Sequence, residues 1–278
     1  MSTSNSPATL SSRALTRESG SFTRTSVANR SLQRGLLLLR AFSHGAELLG
    51  NGELALRTGL ARSTVSRLTT TLVEEGFLDY DIAQQGYRLA AVVLSLADTF
   101  VLADHAGTAA FEPMRELAGR EKVNVGLAVA DGLEMVYVTA LRESRRGVFR
   151  RAVRGSRYPV ETTAGGRAWL AALDERGREA LLGKLAQKHG REWPALQAQI
   201  RASLADSDAR GYCVAYWAPG MTGVGAPLVA SNGRPYALNL TYHSMDTPKS
   251  EEPRYGELLL GLRDEILARW ESAMPLGA

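Results

Sequence analysis

Two helical segments joined by a short glycine-containing turn constrain this fold more than any other feature of the chain. The first covers residues 53–58 and the second covers residues 62–75. Asn51 is predicted to cap the first helix and Gly59 to end it, because glycine readily adopts the left-handed conformation found at helix ends. Gly76 is predicted to end the second helix in the same way. This arrangement predicts a helix-turn-helix.

A further helix precedes this pair and a hairpin follows it. The helical pattern starts at Ser31, and its apolar stripe comprises Leu32, Leu36, Leu39 and Phe42. The stretch FLDYDIAQQGYRLA, residues 77–90, predicts two short strands around a polar turn at residues 84–86. Three helices followed by a hairpin are the plan of a winged helix-turn-helix.

The second helix of the pair has an apolar stripe of Val65, Leu68 and Leu72, and the rest of its surface is polar. In a helix-turn-helix, the N-terminal residues of this helix face base edges in the DNA major groove. Arg binds guanine there, and Ser or Thr binds bases or phosphates. The wing would lie near the DNA backbone or the minor groove. The predicted DNA-contacting residues are Arg62, Ser63, Thr64, Ser66, Arg67, Thr71, Gln85 and Arg88.

An ordinary amphipathic helix with solvated arginines is the alternative for residues 62–75 taken alone. The preceding helix, the turn and the following hairpin together favour double-stranded DNA as the partner, and the net charge of +4 is compatible with it. Residues 1–90 contain ten Arg against seven Asp plus Glu, which gives +3. Because affinity grows with the phosphates neutralised, one copy would bind weakly. We therefore expect two or more copies to act together, with the reading helices of a dimer roughly 34 Å apart on a pseudo-palindromic DNA site.

Composition and pattern divide the chain into four segments. Residues 1–26 are predicted to be a disordered tail, because they offer almost no large apolar side chains to bury. Residues 27–89 form the predicted winged helix-turn-helix domain, and residues 90–106 form a linker helix. Residues 107–278 alternate helices with hairpin-joined strands, which predicts an α+β sensor-type domain. The helices predicted in this last segment cover residues 109–120, 164–188, 193–209 and 251–272.

Two further segments leave alternatives open. The apolar stripe of the linker helix fits a contact between two copies and fits packing within one chain equally well. The arginine-rich run at residues 141–155 is typical of a solvated hairpin. Its alternatives are an acidic ligand or partner, or a secondary DNA contact. The linker stripe comprises Val93, Leu96, Ala97 and Phe100.

The stretch ETTAGGR, residues 161–167, places small residues where a loop turns into a helix. Free backbone amides at Thr163, Ala164 and Gly165 would point at one spot, where the helix dipole favours an anion such as a carboxylate. The alternative is that Thr162 or Thr163 simply caps the helix, while the glycines allow close packing.

Two strand patterns supply walls for a ligand site beside this loop, and the glycine-rich stretch GMTGVG, residues 220–225, leads into the strand between them. In GYCVAYW, alternate residues share a face, and the sequence leaves open which face meets the ligand. Asn239 and Thr241 share a face of a later strand, where either a ligand or water would satisfy them. The predicted ligand-binding residues are Thr163, Ala164, Gly165, Cys213, Ala215, Trp217, Met221, Gly223, Asn239 and Thr241.

Several classes of protein are disfavoured. The single cysteine, Cys213, excludes an intramolecular disulfide and a multi-cysteine zinc site. The four histidines lack metal-ligand spacing, and no phosphate-binding loop or nucleophile elbow is present, so we expect no metal, no cofactor and no enzymatic activity. An enzyme using Cys213 is the alternative, although a lone cysteine is usually a small buried hydrophobe. Without a signal-peptide core or an apolar stretch of about 20 residues, we expect a cytoplasmic protein with no membrane partner.

The chain resembles the IclR-type transcriptional regulators across residues 27–272. SLQRGLLLLRAF, ELALRTGLARSTVSRLTTTLVEEGFL and GYRLA are similar to that family's winged-helix signature in order and spacing. GSRYPVETTAGGRAWLAAL and ARGYCVAYW, with the strands that follow, are similar to its effector-domain landmarks.

The resemblance implies a winged helix, a linker helix and a C-terminal α/β domain related to GAF folds. It also implies dimers, often paired into tetramers, that bind operators and respond to small organic ligands at a pocket bordered by residues 161–167. Several family members carry acidic residues soon after the Gly-Tyr pair, where this chain has Tyr216, Trp217, Ala218 and Pro219. That difference favours an aromatic or otherwise bulky carboxylate over a very polar small acid. A ligand-independent architectural DNA binder is the alternative, and the size of the second domain argues against it.

Overall fold

The computed structural model describes residues 29–43, 45–143, 153–229, 233–244 and 249–273. The predicted tail and most of the arginine-rich run lie outside these residues. The N-terminal part contains three helices and a two-stranded antiparallel hairpin, as the sequence predicted. Their bounds are Arg30–Arg40 for α1, Asn51–Thr58 for α2, Arg62–Glu74 for α3, Leu78–Asp81 for β1 and Gly86–Leu89 for β2.

The predicted stripe on α1 is wrong in its N-terminal half. Leu32 is 60% exposed and Leu36 is 51% exposed, whereas Leu38 is fully buried. Leu38 packs in one cluster with Leu54 of α2 and Val65 of α3. Only the C-terminal half of α1 therefore reaches the core, and the first two turns project past it.

The predicted ends of α2 and α3 are largely confirmed, with one correction. Gly50 rather than Asn51 is the N-cap of α2, and Asn51 is its first helical residue. Gly59 ends α2 in the left-handed conformation, with φ of 69°, and Gly76, with φ of 71°, follows α3. Asn51 instead lies beside α3, where its side-chain oxygen accepts from the Thr69 hydroxyl at 3.5 Å.

The linker helix α4 spans Val92–Ala103, and α5 follows directly at His105–Glu121. No residue of α4 is buried in the described part of this single chain. The exposed fraction is 57% for Leu96 and 81% for Leu102. Within the stripe, Val93 is half-buried and the guanidinium of Arg234 lies 5.5 Å from the Phe100 ring, whereas Leu96 and Ala97 are exposed.

The C-terminal part is an antiparallel six-stranded sheet with helices on both faces, which confirms the α+β prediction. The strand order is β5-β4-β3-β8-β7-β6. One face packs on α5 and α9, and the other packs on α6, α7 and α8. The strand bounds are Asn124–Asp131 for β3, Glu134–Arg142 for β4, Arg157–Pro159 for β5, Cys213–Ala218 for β6, Met221–Val229 for β7 and Pro235–His243 for β8. The helix bounds are Ala164–Ala171 for α6, Glu175–His189 for α7, Trp193–Arg210 for α8 and Glu252–Ala273 for α9.

The helix predicted over residues 164–188 is in fact two helices. Asp174 breaks the pattern, because its side chain accepts a hydrogen bond from the Gly177 amide at 2.7 Å and so starts α7 as a cap. The turn between β3 and β4 contains Gly132, whose φ is 70°. Separating α6 from α7 leaves α6 as a short helix that packs directly on the sheet.

Glycine allows α6 to approach the sheet closely. A Cβ atom at Gly225 of β7 would lie 2.2 Å from the carbonyl oxygen of Ala164. A Cβ atom at Gly166 would lie 2.2 Å from the carbonyl oxygen of Val160. The start of α6 therefore rests against β7, which lies between β8 and the edge strand β6.

Candidate functional site

The outer face of α3 brings together most of the residues predicted to contact DNA. Val65 and Thr69 are buried beneath it and fix the orientation of the helix. Thr64 is half-buried, and the hydroxyl of Thr71 donates to the carbonyl oxygen of Arg67 at 3.3 Å. The exposed residues on this face are Arg62, Ser63, Ser66, Arg67 and Thr71.

The start of α3 has no side-chain cap, because its N-cap residue is Ala61. The first backbone amides of a helix lack partners within the helix, and a phosphate is a natural acceptor for them. Arg62 and Ser63 stand in this first turn and are exposed. This end of α3 therefore combines backbone donors with a cationic side chain.

Asp81 organises the wing between β1 and β2. Its carboxylate accepts from the Gln84 amide at 2.9 Å and also from the guanidinium of Arg88. Gln85 is exposed at the tip with a positive φ of 51°. Arg88 is thus already paired with Asp81. A phosphate bound by Arg88 would compete with the Asp81 carboxylate for its guanidinium.

Sequence reasoning missed one exposed apolar residue at the wing tip. Ile82 is 83% exposed and lies between Asp81 and the glutamines. Its position directly after a predicted strand carried no signal, because an isoleucine there fits a buried strand end equally well.

Thr163 caps α6, so the capping alternative raised for this loop is realised. Its hydroxyl accepts from the Gly166 amide at 3.2 Å and donates to the carbonyl oxygen of Pro159 at 2.8 Å. Thr163 itself has extended backbone angles and lies outside the helix. Ala164 and Gly165 remain the residues whose amides begin the helix.

The strand register shows which face of β6 lies against the loop at residues 161–167. Cys213 lies opposite Gly225, and Ala215 lies opposite Gly223. The Cys213 thiol points at α6, where it donates to the carbonyl oxygen of Ala164 at 3.5 Å. The face of Cys213 and Ala215 is therefore the one beneath α6, while the side chain of Trp217 lies outside the described residues.

The strand next to β7 adds the two polar residues predicted for this face. Asn239 lies opposite Gly225, and Thr241 lies opposite Gly223. Asn239 is 7% exposed, while Thr241 is half-buried. Met221 has the same alternation as Gly223 and is buried. Apart from Trp217, the structure brings the predicted ligand residues to one face of the sheet and the helix start above it.

Two tyrosines that sequence reasoning missed complete this cluster. The rings of Tyr137 on β4 and Tyr158 on β5 have centroids 4.7 Å apart, tilted by 47°. The Tyr137 hydroxyl accepts from the side-chain amide of Asn239 at 3.3 Å. Burial raises the pKa of both phenols, so they are neutral at physiological pH. Tyr158 stands three residues before the predicted loop, and that proximity was the available signal.

Glu161 and Arg167, at the two ends of the loop, hold it in place through buried hydrogen bonds. The carboxylate of Glu161 is almost fully buried and accepts from Lys188 Nζ at 2.7 Å, with His189 Nε2 also at 2.7 Å. Burial would raise the pKa of Glu161, but the hydrogen bonds from Lys188, the backbone and His189 outweigh it and lower that pKa. Arg167 is buried and donates to Ser203 Oγ at 3.2 Å. Both charges therefore hold the loop against α7 and α8.

Burial determines the chemistry of the thiol in this cluster. Burial raises the pKa of the Cys213 thiol to about 12, so the thiol stays protonated near neutral pH. Within the described ranges, no group of three or more His, Cys, Asp or Glu side chains could hold a metal ion. None of the helices in the described part of the chain is long and apolar enough to span a membrane.

Two family models match the chain and together cover most of it. Residues 31–81 match the IclR helix-turn-helix domain. Residues 104–266 match the C-terminal domain of the bacterial transcriptional regulator IclR. The first match contains α1 to β1, and the second contains the six-stranded sheet and the cluster beneath α6.

Relatives and solved structures agree with these matches. The HTH-type transcriptional regulator TsaQ1/TsaQ2 of Comamonas testosteroni is 30% identical over 250 residues, which cover 88% of this chain and 90% of that protein. An IclR-family transcriptional regulator from Brucella abortus superposes with a TM-score of 0.77 at 31% identity, covering 91% of this chain and 97% of that one. An IclR homologue from Microbacterium hydrocarbonoxydans, complexed with 4-hydroxybenzoate, has the same fold, with a TM-score of 0.70 at 22% identity, covering 87% and 100% of the two chains.

Proposed function

This chain belongs to the IclR family of transcriptional regulators, and we propose that it is a ligand-responsive one whose operator binding is altered by a small organic acid. We assign residues 27–89 to DNA binding, residues 90–106 to the linker and residues 107–278 to effector binding. The protein would act in the cytoplasm without a cofactor. The observation that carries the effector half is the buried, incompletely hydrogen-bonded Asn239 beneath the start of α6.

The DNA-binding half of the proposal rests on the outer face of α3. Arg67 lies one helical turn after Ser63, so both would face the same stretch of the major groove. Arg62 and the uncapped helix start would bind the phosphate that borders that stretch. Gln85 and Arg88 of the wing would contact the neighbouring backbone. Base-edge contacts from Arg67 would give sequence specificity, and the phosphate contacts would fix the position of the protein on the DNA.

A homodimer, or a tetramer built from two dimers, would supply the second reading helix. The apolar side chains exposed on the linker and on α1 are the surface that supports this association, since large exposed apolar surfaces mark association sites. One copy alone would neutralise few phosphates, so a pair bound to a pseudo-palindromic operator gives the affinity that one copy lacks. The side chains concerned include Leu32, Leu36, Leu94, Leu96 and Leu102.

The effector half of the proposal rests on the cluster around α6. The helix start favours an anion, and Ala164 and Gly165 provide its first amides. The tyrosine rings beside it suit an aromatic or similarly bulky body, and the solved relative from Microbacterium hydrocarbonoxydans holds an acid of this kind. We infer that an organic carboxylate binds with its charge toward α6, in contact with Asn239 and Thr241.

Fluorescence anisotropy tests the DNA-binding half directly. The operator is first selected from random sequences and then titrated over a salt series, with non-specific DNA as competitor. We expect binding that resists the competitor and weakens steeply with salt, because phosphate contacts release counterions. Equal binding to operator and competitor would contradict specific recognition. The double variant Ser63→Ala/Arg67→Ala should retain the dependence of DNA affinity on salt concentration. It should lose the preference for the operator over competitor DNA.

A further inference from the structure

We propose that Tyr158 and Asn239 form a hydroxyl-recognition subsite, so that the effector carries a hydroxyl group in addition to its carboxylate. This inference rests on the proposed function, because it concerns the same ligand site. It assigns a role to Tyr158, and it defines the effector as a hydroxy acid.

Two buried polar atoms in the cluster have no hydrogen-bond partner among the described residues. They are the hydroxyl oxygen of Tyr158 and Oδ1 of Asn239. Buried polar groups in native proteins are rarely left unsatisfied, because such an atom has lost its hydrogen bonds to water and gained none in the protein. Two of them in one cluster, in the domain proposed to bind a ligand, indicate where polar groups of that ligand belong.

Tyr158 and Asn239 both pack directly against Gly165 at the start of α6. The position of a Cβ atom at Gly165 is 2.6 Å from the Tyr158 hydroxyl and 3.3 Å from Cβ of Asn239. Both residues therefore border the same point, directly beneath the second residue of the helix. Any side chain at position 165 would fill this point, whereas glycine leaves it to the two polar residues.

The hydrogen-bonding chemistry of the pair selects a hydroxyl group. Burial and the nearby Tyr137 raise the pKa of Tyr158 well above its usual range, so this phenol is a donor. The Nδ2 group of Asn239 donates to Tyr137, which leaves Oδ1 as an acceptor. A hydroxyl can accept from Tyr158 and donate to Asn239 at once. A carboxylate or carbonyl only accepts, so it would leave Oδ1 of Asn239 unpaired.

The location of Tyr158 gives the ligand a way in. Tyr158 lies on β5, a three-residue strand at the edge of the sheet that pairs only with β4 among the described strands. Displacing an edge strand breaks fewer ladder hydrogen bonds than displacing a central one. A small outward movement of β5 would admit a hydroxyl group between Tyr158 and Asn239 without disturbing the central strands.

Isothermal titration with matched acids tests the proposal on the full chain. The probes are benzoate with 3-hydroxybenzoate and 4-hydroxybenzoate, phenylacetate with 4-hydroxyphenylacetate, and propionate with lactate. We expect at least one hydroxy acid to bind about 30-fold or more tightly than its partner, because sites built to bind a hydroxyl reject analogues that lack it. If a buried water pairs the two atoms instead, both acids of every pair will bind alike, which would overturn the proposal.

Variants separate recognition of the hydroxyl from general support of the site. Tyr158→Phe should reduce the preference to about 3-fold or less by weakening only the hydroxy acid, while affinity for the unsubstituted acid stays within about 2-fold. Asn239→Leu should act in the same direction and serves if Tyr158→Phe fails to fold. The control is Tyr255→Phe, which removes a hydroxyl from a ring that stacks on Tyr242 on the other side of the sheet. Equal loss of both acids in Tyr158→Phe would contradict a hydroxyl subsite.

The outcomes distinguish this inference from the proposed function. If acids bind and alter operator affinity but show no hydroxyl preference, the subsite is wrong and the proposed function stands. If no acid in the panel binds to a protein that still binds its operator, the organic-acid part of the proposed function is contradicted, together with this inference.

Discussion

Arg40 of α1 donates a hydrogen bond to the carboxylate of Asp131 at 2.9 Å and so ties the winged helix to the turn between β3 and β4. The other carboxylate oxygen of Asp131 accepts from Arg157 of β5 at 2.8 Å. Burial would raise the pKa of Asp131, but the hydrogen bonds from Arg40 and Arg157 outweigh it and lower that pKa. The residue after Arg157 is Tyr158, which lies in the proposed ligand site.

This arrangement links the ligand site to the DNA-binding part through a short series of contacts. Movement of β5 on ligand binding would displace Arg157 and weaken its hold on Asp131. We expect Asp131→Asn to reduce the ligand-induced change in operator affinity at least twofold, while ligand affinity stays within about 2-fold, since allosteric coupling of about 1–3 kcal/mol is typical. Anisotropy with and without ligand measures this. The control is Asp264→Asn, an exposed carboxylate paired with the adjacent Arg263, and an unchanged response in Asp131→Asn would exclude this route.

Arg67→Ala tests the assignment of the reading helix. If Arg67 binds a guanine edge, the variant should lose about 1–3 kcal/mol of operator affinity and accept other bases at one position of each half-site. Competition with a set of single-base operator variants measures both effects. Arg176→Ala is the control, because it removes an exposed arginine from α7 in the other domain. Retention of both affinity and base preference in Arg67→Ala would remove Arg67 from the interface.

Gly225→Ala tests whether the start of α6 must rest on β7. The added methyl group would lie 2.2 Å from the carbonyl oxygen of Ala164, so the helix must move. We expect a loss of about 1–3 kcal/mol in the free energy of unfolding, as for other overpacked sites, together with weaker ligand binding. Gly183→Ala on α7 is the matched control, since a methyl group there meets no atom within 4 Å and should stabilise the helix by about 0.5–1 kcal/mol. Unchanged stability in Gly225→Ala would contradict the close approach of α6.

Glu161 predicts an acid-sensitive contribution to stability. Its pKa is lowered in the folded protein, so the ionised form stabilises the fold above the unfolded pKa of about 4.3. That contribution is lost as the pH falls through the lower, folded pKa. Glu161→Gln should therefore destabilise the protein at neutral pH by about 1–3 kcal/mol and flatten the fall in stability below about pH 4. Urea unfolding across pH measures this, with the exposed Glu179→Gln of α7 as control. If the free energy of unfolding falls equally with pH in the acid range for wild type and Glu161→Gln, the prediction is contradicted.

Leu96→Glu tests the association proposed for the linker helix. A charge on this exposed face should favour the monomer and weaken operator binding at least tenfold, because each copy then binds its half-site alone. Sedimentation measures the oligomeric state. Ser95→Glu adds the same charge at the neighbouring exposed position and serves as control. A wild-type monomer at micromolar concentration would contradict the dimer.

Local sequence signals predicted the parts of the fold that depend on local physics. The bounds of α3 and the left-handed Gly59 follow from apolar spacing and from the conformational freedom of glycine, and both are confirmed. The stripe of α1 was wrong because spacing alone cannot show that only half of a helix reaches the core. Leu38, rather than Leu36, is the buried residue because of where α1 crosses α3, and that is a tertiary property.

In the candidate ligand site too, local patterns predicted some features, while others depend on tertiary structure. Alternation predicted that Cys213 and Ala215 share a face, but only the register with β7 shows that this face lies beneath α6. Tyr137 and Tyr158 are distant from Asn239 in sequence, and strand order brings all three together. No local pattern could reveal a contact that depends on the pairing of β3 with β8.

The most direct test of the central claim is the operator affinity of the full chain measured with and without a bound hydroxy acid from the panel. We expect saturating ligand to change the dissociation constant for the operator by about 5- to 150-fold, the range of ordinary allosteric coupling, while affinity for random DNA is unchanged. The operator should in turn change ligand affinity by the same factor. An acid that binds tightly yet leaves operator affinity unchanged would contradict a ligand-responsive regulator.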